Sequence, residues 1–185
     1  MSLSLTKNVL DFIRGKADVF VETGTFMGGG VRCAHEYGFK EIHSIEMSAE
    51  CHRRAKAALR DIPGVDLILG DSSVEFPKLM ATITRRAVVF LDGHNMQGNP
   101  HTANVKGDGK SWLLSPLRRE IESLKQAPVK DHLVLIDDID YLGKSEMDFL
   151  SLDESKRMML EVNPAYQFTI MDGARAKSLL IASVP

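Results

Sequence analysis

Five short apolar runs, each of strand length and each handing over to an acidic side chain, constrain this chain more than any other feature. They are Asp18 to Glu22, Glu41 to Glu46, Val65 to Gly70 with Asp71 and Ser72 following, Ala87 to Leu91 with Asp92, Gly93 and His94 following, and His132 to Ile136 with Asp137 and Asp138 following. Segments of helical period lie between them. Leu5 to Ile13 reads as a leading helix, and Gly29 to Tyr37 and Ser48 to Leu59 follow the first two runs, the latter capped by Ser48 with Glu50 in its first turn. Ser115 and Pro116 look like an N-cap and first helical position, after which Leu117, Ile121 and Leu124 repeat at helical spacing until Pro128. Ser151 with Glu154 predicts a capping box on a helix that ends near Asn163 and Pro164. Tyr166 to Met171 and Lys177 to Val184 then read as two strands joined by a turn at Asp172 and Gly173.

Alternating strands and helices require crossover connections, which are right-handed and give a parallel sheet covered on both faces. The terminal hairpin must add an antiparallel strand. In an open parallel sheet the carboxyl ends of the strands share one edge, where ligands bind, so the five acid-tipped runs are expected to converge on one crevice.

The first of these ends carries the most chemistry. Glu22-Thr23-Gly24-Thr25-Phe26-Met27-Gly28-Gly29-Gly30 joins a buried strand to a glycine-rich bend, with Gly24 where the backbone would pass close to a ligand and Gly28 to Gly30 where a helix would start against the sheet. The same glycines also serve a strand-to-helix corner on steric grounds alone. Glu46 stands about 20 residues beyond the first glycine, the spacing at which a carboxylate can take ribose hydroxyls. A dinucleotide fingerprint would need glycine where Phe26 stands, because a side chain there crowds a pyrophosphate.

Length and composition bound the rest. At 185 residues and 44% hydrophobic, residues 1–185 are expected to form one domain with a full core. A formal charge of -2 without a basic stripe argues against a nucleic-acid or anionic-membrane partner and for a small-molecule substrate. Cys33 and Cys51 lack metal-knuckle spacing, which fits a reducing compartment. With no leader-like segment and no apolar run approaching 18 residues, a soluble, cytoplasmic protein is expected.

The motifs ETGTFMGGG, HSIEMS, GDSS and FLDGH, in that order at strand ends, resemble the first four motifs of the class I, Rossmann-like S-adenosylmethionine-dependent methyltransferases. The resemblance runs from Val19 to the terminal hairpin and implies a doubly wound, mostly parallel seven-stranded sheet with a C-terminal antiparallel hairpin and helices on both faces. It implies S-adenosylmethionine as cofactor, with Glu22, Thr23, Gly24, Thr25 and Gly28 around the methionine end. Glu46 would take the ribose, Met47 the adenine face, and Asp71 and Ser72 the adenine edge, although Ser72 with Glu75 also reads as a helix cap. Asp92, in the fourth motif, would also contact the cofactor.

The fourth and fifth strands of such a sheet are neighbours about 4.8 Å apart, so Asp92, Asp137 and Asp138 can meet. Hard oxygen ligands so placed suit Mg2+ or another divalent cation. The arrangement resembles that of the metal-dependent catechol and caffeoyl-coenzyme A O-methyltransferases, in which an Asp-Asn pair stands where this chain has Asp-Asp. His94, two residues past Asp92, is the alternative proton acceptor, and Asp92 and His94 are the candidate catalytic pair. Without a metal, repulsion between Asp137 and Asp138 would raise the pKa of one of them.

A Leu-Asp-Gly-His segment, a long loop and a strand ending Asp-Asp are also similar to a group of bacterial methyltransferase-like proteins. The leading expectation is methyl transfer to a small acceptor, with a divalent metal assisting an oxygen nucleophile. The alternatives are a non-catalytic ligand-binding or scaffold protein of the same fold, or a hydroxylase-like or nicotinamide-dependent relative. The long stretch from Gly93 to Leu114, with His101 as a weaker base candidate, reads as a binding loop. With no large added substrate domain in view, a homodimer would be one way to complete the acceptor site.

Overall fold

The computed structural model describes residues 4–94 and 115–185. His101 and the rest of the expected binding loop beyond His94 lie outside these residues. Seven strands form one sheet: β1 (Val19–Thr23), β2 (Glu41–Glu46), β3 (Val65–Leu69), β4 (Ala87–Leu91), β5 (Leu133–Ile136), β6 (Gln167–Met171) and β7 (Leu179–Ser183). The order across the sheet is β3-β2-β1-β4-β5-β7-β6, with β1 to β5 parallel and β7 antiparallel to both β5 and β6. The expected architecture is therefore the observed one. Chain order reverses between β1 and β4, so the connections leaving those two strands diverge to opposite faces and open a crevice at their tips.

Among the described residues six α-helices cover the faces: α1 (Lys7–Ile13), α2 (Gly29–Glu36), α3 (Ala49–Ala58), α4 (Ser72–Met80), α5 (Leu117–Leu124) and α6 (Leu152–Val162). Strand alternation sorts the core into two layers. Phe20, Ile42, Val88, Phe90, Leu133, Leu135 and Ile181 face α1 to α3, whereas Val21, Ile45, Val89, Leu91, Val134 and Ile136 face α4 to α6. Every residue of β1, β4 and β5 is buried, as a parallel strand covered on both sides requires.

Local capping follows the sequence with three adjustments. The α4 cap is Asp71, whose carboxylate accepts from the Ser73 N–H at 2.8 Å, so Ser72 is already the first helical residue. The hydroxyl of Ser115 accepts from the Leu117 N–H at 3.3 Å, but α5 begins at Leu117, one residue after the expected Pro116. Ser151 caps α6 through the Glu154 N–H at 3.1 Å, yet the Glu154 carboxylate turns to Arg118 at 2.5 Å, leaving the capping box half formed. His132 precedes β5 instead of opening it: its Nδ1 accepts from the Ala87 N–H at 3.1 Å at the end of the sheet opposite the crevice, and burial lowers its pKa to about 4. No helix among the described residues is long and apolar enough to cross a membrane.

Candidate active site at the strand tips

The sheet ladder runs one residue past β1, β3, β4 and β5 and aligns the tips. Gly24 N–H donates to Ile45 O at 2.9 Å, Gly70 N–H to Glu46 O at 2.9 Å, Asp92 N–H to Thr23 O at 3.2 Å and Asp137 N–H to Leu91 O at 3.1 Å. Glu22, Glu46, Asp71, Asp92, Asp137 and Asp138 consequently occupy one edge. Their fields overlap there, for Glu46 bears on Glu22, while Glu22, Asp137 and Asp138 bear on Asp92.

Gly24 is where backbone approaches backbone. It has φ +87°, and a Cβ there would stand 2.3 Å from the carbonyl oxygen of Asp92. Crossing from β1 into the bend against β4 thus requires glycine whatever the ligand. Gly28, with φ +83°, caps α2 against Leu59. Phe26, which lacks the freedom of glycine, nevertheless adopts φ +48° and donates its N–H to Glu46 Oε2 at 2.7 Å.

Glu46 is held from both sides, since the Ser48 N–H donates to its Oε1 at 2.7 Å. The Met47 N–H also lies close enough to lower its pKa, so of about four lone-pair positions on the carboxylate at least one remains. Burial raises its pKa, and the backbone donors offset part of that rise. Phe26, which supplies one of these N–H groups, and Met47, the next residue in the chain, carry large apolar side chains that are 45% and 37% exposed. Asp71 is committed to its helix cap and Ser72 is buried beside it.

Glu22 lies deeper than a ligand-facing acid. It is 2% exposed and accepts from the Ser44 hydroxyl at 2.6 Å, which in turn bonds the Thr25 hydroxyl at 2.6 Å. Its Oε1 sits against Gly30, where a Cβ would come within 1.7 Å. Burial pushes its pKa up to about 8. Because the folded value exceeds the ordinary 4.5, the unfolded chain releases this proton first, and stability falls as pH rises from about 4.5 to about 8. Glu22→Gln cannot ionise and is expected to flatten this slope. At pH 8 the variant should gain on the order of 4 kcal/mol at most relative to its effect at pH 4, read from denaturant midpoints across pH. Parallel stability curves for the two proteins would show that Glu22 does not titrate in this range.

At the β4 and β5 tips, His94 joins two acids. Its Nε2 lies 2.8 Å from Asp138 Oδ2, and its Nδ1 lies 3.7 Å from Asp92 Oδ1. Asp138 has the left-handed φ of +54°. Its second oxygen bonds Arg175, whose Nε also lies 2.7 Å from Asp140. Burial raises the Asp138 pKa, but His94 and Arg175 outweigh it and hold the carboxyl below its usual range. Asp137 moves the other way, up to about 6, first by burial and then by the charge of Asp138. Burial and the acids around it raise the Asp92 pKa well above its usual value.

One ligand atom from each of Asp92, His94 and Asp138 lies within 4.8 Å of the others, a compact donor set among the described residues. Asp137, expected from the sequence as a third oxygen ligand, stands beside this set and not within it, with its Oδ1 lying against Gly173 of the β6–β7 turn. His94 takes its place.

Two participants were not singled out from the sequence. Arg175 lies in the β6–β7 turn, and a lone arginine in a polar turn gives no signal. Glu120 did leave one, as Leu117, Glu120, Ile121 and Leu124 follow the spacing of one helix face, which places an acid within the apolar stripe of α5. It is 1% exposed, and among the described residues neither carboxylate oxygen has a hydrogen-bond partner. Burial raises its pKa to about 7, and the nearby hydroxyls of Ser72 and Thr23 soften the rise without meeting hydrogen-bond geometry.

No family model and no curated relative matches the chain. Solved structures do. An O-methyltransferase from Bacillus cereus in complex with SAH is similar at 10% identity and TM-score 0.65, covering 100% of this chain and 84% of the other. The SAH-bound Podospora anserina methyltransferase PaMTH1 is similar at 12% identity and TM-score 0.62, covering 95% and 76%. The methyltransferase domain of bacterial CtHen1-CN is similar at 13% identity and TM-score 0.56, covering 95% and 94%. With the seven-stranded topology already described, these likenesses show that the chain has the Rossmann-like fold of the class I S-adenosylmethionine-dependent methyltransferases.

Proposed function

We propose that this protein binds S-adenosylmethionine across the tips of β1, β2 and β3 and transfers its methyl group to a small acceptor over the tips of β4 and β5. One observation carries the reading: Glu46 is fixed at the β2 tip by backbone N–H groups, and Phe26, which supplies one of them, and Met47, its chain neighbour, have exposed apolar side chains. A carboxylate for paired hydroxyls beside apolar surface for a flat base is the chemistry an adenosine requires. The two SAH-bound proteins of the same fold support this ligand class.

S-adenosylmethionine, when bound, supplies an electrophilic methyl on a sulfonium that leaves as a neutral thioether. The protein's residues position the acceptor and manage its proton. His94 is placed for this, with Asp138 fixing its Nε2 side and Arg175 fixing Asp138 in turn. Asp92 faces the other ring nitrogen from the β4 tip.

The Asp92, His94 and Asp138 set also fits a divalent cation, which would orient an acceptor hydroxyl and lower its pKa. An imidazole among the donors favours Mn2+, Fe2+ or Zn2+ over the Mg2+ that an all-oxygen set would suit. Arg175 opposes binding by already supplying positive charge to Asp138.

Calorimetry with S-adenosylmethionine, SAH and NAD, each with EDTA, Mg2+ or Mn2+, tests both parts. Binding of the first two and not of NAD is expected, and NAD binding alone would replace methyl transfer with nicotinamide chemistry. Mn2+ is expected to bind directly and to lose about ten-fold or more in affinity in Asp92→Asn. Equal Mn2+ binding by both proteins would remove the metal site.

A further inference from the structure

Asp138 needs a positive partner. Its side chain is 9% exposed, and a charge so far from water is costly unless it is paired. Oδ2 faces His94 Nε2 at 2.8 Å, and Oδ1 takes the Nη2 group of Arg175. The guanidinium is not confined to that contact. Its Nε donates to Asp140 Oδ2 at 2.7 Å and its Nη2 to Asp140 Oδ1 at 2.8 Å, a two-pronged hold on one carboxylate. The guanidinium carbon also lies 5.0 Å from the centre of the Tyr141 ring. Exposure divides this network into a fixed end and a movable one: the side chains of Arg175 and Asp140 are 42% and 37% exposed, against 9% for both Asp138 and His94. The backbone of Arg175 is tied into the β6–β7 turn, where its N–H donates to the Ser178 hydroxyl at 3.3 Å and its carbonyl accepts from the Gly173 N–H at 3.1 Å. Displacement of the guanidinium is therefore a side-chain motion.

We propose that Arg175 is the resident counter-ion of the β5 tip, and that a divalent cation enters the Asp92, His94 and Asp138 set by displacing it from Asp138, with Asp140 retaining the displaced guanidinium. The inference rests on the cation reading of that donor set and is independent of methyl transfer. Two positive groups on one carboxylate repel each other strongly where water is excluded, so joint occupancy is disfavoured. Leaving Asp138 costs Arg175 one hydrogen bond, and both bonds to Asp140 survive. A half-exposed pair is cheap to rearrange, whereas the buried acid keeps a positive partner throughout. Arg175 thereby sets how tightly the centre holds a cation without being one of its ligands.

The test is Mn2+ titration of the full chain, stripped with EDTA and dialysed, followed by calorimetry and by the electron paramagnetic resonance signal of free Mn2+. Arg175→Met is expected to bind Mn2+ about ten-fold or more tightly than wild type and to show a larger rise in thermal midpoint on saturation. Arg175→Lys keeps the charge but cannot bridge both acids, so it should fall between, and it keeps the test decisive if Arg175→Met folds poorly. Asp140→Asn should act in the opposite direction and weaken Mn2+ binding by about two- to five-fold, because the guanidinium is then left to Asp138. Lys177→Met removes a positive charge from the same turn and should leave Mn2+ affinity within about two-fold. Equal tightening in Lys177→Met would reduce the effect to net charge and overturn the displacement. Arg175 variants that bind Mn2+ no more tightly than a wild type that does bind it overturn the displacement and leave the cation site standing. Unchanged or tighter binding by Asp140→Asn overturns Asp140 as the retaining acid. If neither wild type nor Arg175→Met binds Mn2+, the cation reading fails and the displacement with it.

Discussion

Glu46→Ala is expected to weaken SAH binding by about a hundred-fold or more while leaving a folded protein. The magnitude follows from two hydrogen bonds to a charged acceptor, each contributing roughly 1.5–3 kcal/mol, with part of the total masked by water entering the site. The same carboxylate accepts from the N–H groups of Phe26 and Ser48, so its removal also loosens the bend after β1 and the start of α3. Circular dichroism and the thermal midpoint separate these effects: a cooperative transition with lost calorimetric heat places the defect in the ligand site. Glu46→Gln should fall between, because its amide keeps one acceptor oxygen and turns an N–H2 toward a backbone N–H. Undiminished binding by a folded Glu46→Ala protein would remove the ribose assignment.

Gly24→Ala is expected to lower stability by about 3–4 kcal/mol and the thermal midpoint by roughly 10 °C. A left-handed backbone at an alanine costs on the order of 1 kcal/mol, and the rest comes from forcing the Asp92 carbonyl away from a Cβ that would otherwise stand 2.3 Å from it. Relief requires separating the tips of β1 and β4, which also moves Asp92. Gly15→Ala supplies the control. Gly15 has φ +71° but nothing within 4 Å of its would-be Cβ, so it should show the conformational cost alone. Equal losses in the two variants, measured by denaturant unfolding, would mean that the close approach of β1 to β4 carries no energetic weight.

A third consequence concerns order among the acids. Glu22 and Glu120 are buried on opposite sides of the sheet, Glu22 toward Gly30 of α2 and Glu120 beneath Gly93 with α5. Burial raises both, yet their surroundings differ. Glu22 finishes a chain of hydroxyls through Ser44 and Thr25, so a proton on it completes a satisfied network. Glu120 has no such chain. The first reads as support for the bend, whereas the second has only the Ser72 and Thr23 hydroxyls nearby.

The sequence alone determined the architecture. Strand-length apolar runs alternating with helical segments admit few topologies, and a parallel strand buried on both faces must read as a continuous apolar run, as β1, β4 and β5 do. It also placed the acids on one edge, because the carboxyl ends of parallel strands share an edge by construction. Which acids face a ligand was decided only by tertiary structure. Glu22 and Glu46 both end strands, but strand parity turns Glu22 toward Gly30 while the turn after β2 places Glu46 beside the Phe26 N–H. Asp137 and Asp138 are chain neighbours, yet Asp138, with a left-handed backbone, meets His94 and Arg175, whereas Asp137 Oδ1 lies against Gly173 of the β6–β7 turn. Arg175 and Glu120 reach the site from elements distant in sequence, and only the packing of α5 and the terminal hairpin against β5 brings them there. Local pattern fixes period and direction along a chain, whereas the meeting of side chains from separate elements depends on how those elements dock.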